Sequence, residues 1–119
     1  MVEANPVSKA SEEKEEEVYD TVEISPVFPG GNAAMMKWLS NNIRYPQEAV
    51  DNNIEGRVIV DMIVEKDGRI THPTIVKSVD SSLDNEALRV VSMMPKWIPG
   101  KMNGAPVRSR FILPVNFKL

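Results

Sequence analysis

His72, Asp61, Asp67 and Asp84 are the residues whose types most readily suggest chemistry in this 119-residue chain. A histidine acts as a base when a nucleophile stands beside it. His72 precedes Pro73 in a segment that reads as a strand, and no serine or cysteine is placed to pair with it. The aspartates do not follow the alternating spacing of a cation-binding loop. Asp67 belongs to Lys66-Asp67-Gly68, a hairpin turn, and Asp84 stands where a negative charge favours the start of a helix. The absence of cysteine excludes a disulfide framework, a thiolate nucleophile and a cysteine metal site, and a lone histidine excludes a histidine-rich one. Trp38 and Trp97 read as packing residues. The expectation is therefore a non-enzymatic domain with no cofactor and no metal, whose chemistry is recognition.

Charge is distributed unevenly along the chain. Between Met1 and Asp20 lie Glu3, Glu12, Glu13, Glu15, Glu16, Glu17 and Asp20 against Lys9 and Lys14, while no acid follows Glu86. The last stretch carries Arg89, Lys96, Lys101, Arg108, Arg110 and Lys118, which suggests an interaction surface at the C-terminal end. Nucleic acid is a poor candidate for the partner, because the net charge is −3 and no nucleic-acid motif is present.

These residues need elements to position them. Residues 1–20 are too polar to bury and read as a disordered acidic linker, leaving residues 21–119 as one domain. Thr21 to Ile24 alternates as a short extended piece, and Ser25-Pro26-Val27-Phe28-Pro29-Gly30-Gly31 is a turn, with Asn32 as a helix cap. A first helix is expected over Ala33–Ile43, burying Met35, Trp38 and Leu39, and a second, shorter one opens at Pro46. Arg57 to Glu65 is the clearest strand, with Val58, Val60, Met62 and Val64 on one face. The return strand runs from Arg69 to about Ser78. Ser81 and Ser82 are expected to cap a helix over Leu83–Met94 that buries Leu83, Ala87, Val90, Val91 and Met94 before Pro95 ends it. The final strand, Pro106 to Phe117, turns Val107, Ser109, Phe111, Leu113, Val115 and Phe117 inward. The simplest way to bury these stripes is an α+β fold of order α-α-β-β-α-β, a small three-stranded antiparallel sheet with helices on one face.

Such a sheet has two edges, and an unprotected edge invites another chain. Pro73 cannot donate to a ladder, so the return strand is expected to be one edge and to be defended. The final strand is expected to be the other. Pro114 is best tolerated where its missing N–H would face outward, which leaves Arg108, Arg110 and Ile112 as open hydrogen-bonding positions. A guest peptide could then add a strand there. An ordinary terminal strand, shielded by a loop or by pairing with a second copy as a homodimer, is the alternative.

The segments FPGG, YPQEA, IEGRVIVDMIVEKDGRI, LDNEALRVVSMMPKWIPGKMNGAPV and FILPVNF, in this order and spacing, resemble the TonB C-terminal domain family from about Phe28 to Phe117. The resemblance implies a periplasmic domain of an energy transducer. Such a domain grips the TonB box of TonB-dependent outer-membrane transporters and couples proton motive force to nutrient uptake. It further implies an inner-membrane motor complex, engaged through an anchoring helix upstream of Met1. By the same resemblance the partner-binding residues are Val107, Arg108, Ser109, Arg110, Phe111, Ile112 and Leu113 on the last strand, with Tyr45 and Pro46 near the bound partner. The same domain type can also serve as a docking or signalling module on a membrane sensor or protease-like receptor.

Overall fold

The computed structural model describes residues 17–119. Most of the expected linker, residues 1–16, lies outside the described residues. The elements in chain order are β1 (Val18–Tyr19), α1 (Asn32–Asn42), α2 (Gln47–Asp51), β2 (Gly56–Val64), β3 (Ile70–Lys77), α3 (Ser81–Ser92), β4 (Lys101–Met102), β5 (Ala105–Pro106) and β6 (Arg108–Phe117). The α-α-β-β-α-β order of the main elements is as expected from the sequence.

Alternation brings β2 and β6 together. Val58, Val60, Met62 and Val64 are fully buried on one face of β2, and Leu113, Val115 and Phe117 join them from β6. The antiparallel register runs unbroken from Gly56 opposite Phe117 to Val64 opposite Ser109. On this face lie α1, α2 and α3, contributing Met35, Leu39, Ala49, Leu83, Ala87, Val90 and Val91. Burying each large aliphatic side chain stabilises the fold by roughly 1.5–3 kcal/mol relative to exposure.

The sheet order is β1-β6-β2-β3. The return strand β3 is an edge, as Pro73 required, and its register against β2 shifts between Asp61 and Ile63, where His72 takes φ 53°. That bulge twists the edge away from other chains. The other side differs from expectation. The sheet has four strands, because β1 pairs in parallel with the start of β6, placing Val18 opposite Arg108 and Tyr19 opposite Ser109. Val18 and Tyr19 therefore belong to the folded unit, although their acidic neighbours suggested a linker ending at Asp20. A separate ribbon of β4 and β5 lies in the connection between α3 and β6, so Pro106 falls in β5 and the final strand opens at Arg108.

Two caps also differ. Asp80, not Ser81 or Ser82, caps α3, its carboxylate accepting from the Ser82 N–H at 3.0 Å. Gly31 precedes α1, and Asn32 is its first residue rather than its cap. Among the described residues no helix is long and apolar enough to cross a membrane.

Candidate functional site

Backbone direction along β6 follows from one hydrogen bond. The Glu65 N–H donates to the Arg69 carbonyl across the hairpin at 2.8 Å, so odd-numbered residues of β2 turn their polar groups toward β3 and even-numbered ones toward β6. Through the unbroken register, Ser109, Phe111, Leu113, Val115 and Phe117 then bond to β2. Arg108, Arg110, Ile112, Pro114 and Asn116 direct their backbone groups to the outer side. Pro114, which has no N–H, costs the β2–β6 ladder nothing there.

The outer row divides into a front and a rear. At the front, β1 lies along Arg108 and Ser109. Arg108 is buried, unlike the exposed arginine its alternation suggested, and its guanidinium binds the Glu65 carboxylate at 2.6 Å and 3.1 Å. That bond holds the Glu65 carboxyl below the usual carboxylate range, with Thr71 Oγ1 donating to the same group. Arg110 is more open and spans two carboxylates, Asp61 at 2.8 Å and Asp20 at 2.9 Å.

At the rear, from Ile112 onward, no described strand pairs with the outer side. Ile112 is 49% exposed. Beside this stretch runs a groove of about 310 Å³ between α1 and the end of β6, lined by Met36, Ser40, Ile43, Tyr45, Pro114 and Lys118 among others. Its α1 wall carries Met36, Leu39 and Ile43 beside the Ser40 hydroxyl, and Pro114 and Asn116 of the outward row line its other side. Such a surface can take up an extended peptide through its main chain and seat a side chain in the groove.

The remaining expected residues are placed as follows. Val107 precedes β6, and its N–H donates to the Gly100 carbonyl at 2.9 Å. Ser109 and Leu113 face the core at 1% exposure each. Phe111 packs edge-on against Trp97 with ring centroids 4.9 Å apart. These side chains shape the strand rather than its outer surface. Tyr45 lines the groove, its ring against Phe117 at 5.8 Å and its hydroxyl donating to the Ile54 carbonyl. Burial, with the Glu55 charge, pushes that hydroxyl above its ordinary pKa. Pro46 caps α2, its carbonyl accepting from Ala49 and Val50. Among the described residues no cluster of histidine, aspartate or glutamate is arranged to hold a metal ion.

Sequence reasoning missed the groove residues Met36, Ser40 and Ile43 and the pairing of Val18–Tyr19 with β6, although it placed Lys118 in a basic C-terminal stretch. A signal existed for each group. Met36 is a second large apolar residue next to Met35 that the buried stripe of α1 does not need, and Val18-Tyr19 is a β-prone pair inside an acid-rich run.

Residues 41–119 match the family model for the C-terminal region of Gram-negative bacterial TonB proteins, well over half of the chain. The chain belongs to the TonB C-terminal family. A curated relative, Protein TonB of Vibrio cholerae serotype O1, is 32% identical over 77 residues, covering 64% of this chain. The matched stretch is 31% of that TonB's length, so the family likeness concerns its domain and not the whole protein. The solution structure of the Helicobacter pylori TonB C-terminal domain superposes with a TM-score of 0.54 at 25% identity, covering 71% of this chain and 76% of that one. A shorter version of the same domain superposes at a TM-score of 0.52 and 24% identity, covering 72% and 90%, which adds support for the fold.

Proposed function

We propose that this chain is the periplasmic end of a TonB-type energy transducer. In this reading it binds a segment of an outer-membrane transporter by strand addition to β6 and transmits proton motive force to nutrient uptake. The observation that carries the proposal is the row of outward backbone groups from Ile112 to Asn116, running into a groove of mixed apolar and polar lining, in a member of this family. The family's working parts are a motor complex and anchor in the inner membrane and transporters in the outer one, and a non-catalytic gripping domain fits between them.

Energetics suit the task. A net hydrogen bond contributes about 0.5–1.5 kcal/mol, so roughly four or five main-chain bonds supply a few kcal/mol before the groove adds apolar burial. A binding energy of about 4–8 kcal/mol corresponds to millimolar to micromolar affinity, which allows repeated engagement and release. Tension along paired strands loads several bonds together, so a modest equilibrium affinity is compatible with force transmission.

Titration of isotopically labelled protein with peptides from transporter N-termini tests the proposal. Amide shifts should concentrate on Ile112–Asn116 and on the groove residues Met36, Ile43 and Tyr45. Shifts confined to the far edge at β3, or none at millimolar peptide, would remove the reading.

A further inference from the structure

β1 is a two-residue strand laid on the same edge of β6 that a guest would use. Its residues are only half-buried, and neither belongs to the core cluster. Asp20, which follows it, keeps a side chain 78% exposed while binding Arg110. The chain is held again a few residues later. Ile24 and Lys101 exchange backbone bonds at 3.2 Å and 2.9 Å, and Val27 and Ile98 do so at 3.0 Å and 2.8 Å. β1 can therefore lift away from β6 while the chain stays held from Ile24 onward. Arg110 would stay in place when it does, because Asp61 holds the guanidinium from the other side at 2.8 Å. The lifted state presents a pre-oriented cation beside the outward backbone groups of β6.

We infer that the front of this edge, Arg108 to Arg110, is an exchangeable site for a parallel strand carrying a carboxylate. The protein's own Val18–Asp20 is its resident occupant, which a guest strand displaces. The inference rests on the reading of β6 as a peptide-binding edge and adds the chemistry of its front half. A tethered occupant competes at a local concentration on the order of millimolar, and it lowers guest affinity by the fraction of molecules whose edge is open. The rear groove, which β1 does not reach, gives a guest its first hold before the front is exchanged.

The test uses the full chain and a synthetic peptide copying residues 17–24, Glu-Val-Tyr-Asp-Thr-Val-Glu-Ile. The variant Tyr19→Pro removes a backbone donor from β1 and frees the edge. The pair Tyr19→Cys with Ser109→Cys lies at facing positions of the parallel register, within the separation a disulfide spans, and locks β1 down in a chain that otherwise has no cysteine. Unchanged core amide shifts verify that both fold. The peptide should bind the Tyr19→Pro chain about tenfold more tightly than the unaltered one, as expected for a site open about a tenth of the time. The locked chain should bind least and recover on reduction, and an Asp-to-Asn change in the peptide should weaken binding severalfold.

Equal affinity for all three proteins, or no binding to the Tyr19→Pro chain at millimolar peptide, overturns the inference. If this peptide distinguishes the variants while transporter peptides shift nothing, the transporter reading falls and the exchangeable strand stands. If transporter peptides bind the unaltered and Tyr19→Pro chains alike, the exchangeable strand falls and the transporter reading stands.

Discussion

Gly68 ends the turn between β2 and β3 at φ 91°, and an added Cβ there would lie 2.1 Å from the Trp97 carbonyl oxygen. The Trp97 N–H in turn donates to the Gly68 carbonyl at 2.8 Å. The hairpin tip is thereby pinned to the residue whose ring packs between Phe28 and Phe111. Gly68→Ala combines a left-handed backbone with a clash against backbone that cannot swing aside. It should destabilise the domain by about 2–4 kcal/mol, read from the urea midpoint. Asp-Gly announced the turn in the sequence, but not that Trp97 would close over it. Arg108 shows the same division: its place in the strand alternation was legible, whereas its burial and its pairing with Glu65 were not.

Parity governs the elements. Ile112 turns its N–H outward and is half-exposed, while Leu113 turns its N–H toward β2 and its side chain into the core. Ile112→Pro should therefore leave the circular dichroism spectrum and melting temperature nearly unchanged while abolishing peptide binding, as Pro114 already sits in that row. Leu113→Pro removes both a ladder bond and a core side chain, and should unfold the domain or cost at least about 3 kcal/mol. A binding-competent Ile112→Pro chain would mean that guests do not pair with this edge. The strand assignments themselves were readable, because one face of β2 and of β6 is consistently apolar even though Ile59, Ile63 and Ile112 stand on the other. The bulge in β3 was signalled by Pro73 interrupting its pattern.

Across the whole molecule, two paired carboxylates, the partly buried Glu65 and the buried Glu86, make stability depend on pH. Arg108 lowers the native pKa of Glu65. Burial pushes Glu86 up, but bonds from the Arg89 guanidinium and the Arg44 N–H outweigh it, leaving Glu86 lowered as well. A carboxylate with a depressed native pKa contributes stability that is fully present above its unfolded value, about 4.3 for glutamate. That contribution is lost as the pH falls through the native values. Denaturant unfolding should therefore show a steep loss of stability on acidification below about pH 4. Glu65→Gln should cost about 2–3 kcal/mol at neutral pH and flatten the acid limb. An acid limb of unchanged slope would show that Glu65 is not one of its sources.

What the residues alone determined is what depends on local period and on backbone chemistry. The apolar alternation of Val58 to Val64 and of Leu113 to Phe117 required strands buried on one face. The stripe from Leu83 to Val91 required a helix above them, and two prolines declared which backbone groups could go unpaired. The tertiary structure decided how the outer edge of β6 is shared, because that depends on groups far apart in sequence. Asp20 meets Arg110, Val18 meets Arg108, and Met36 faces Pro114 across a groove. No local pattern encodes such meetings, since they arise only when the packed sheet brings an exposed edge within reach of the chain's other end.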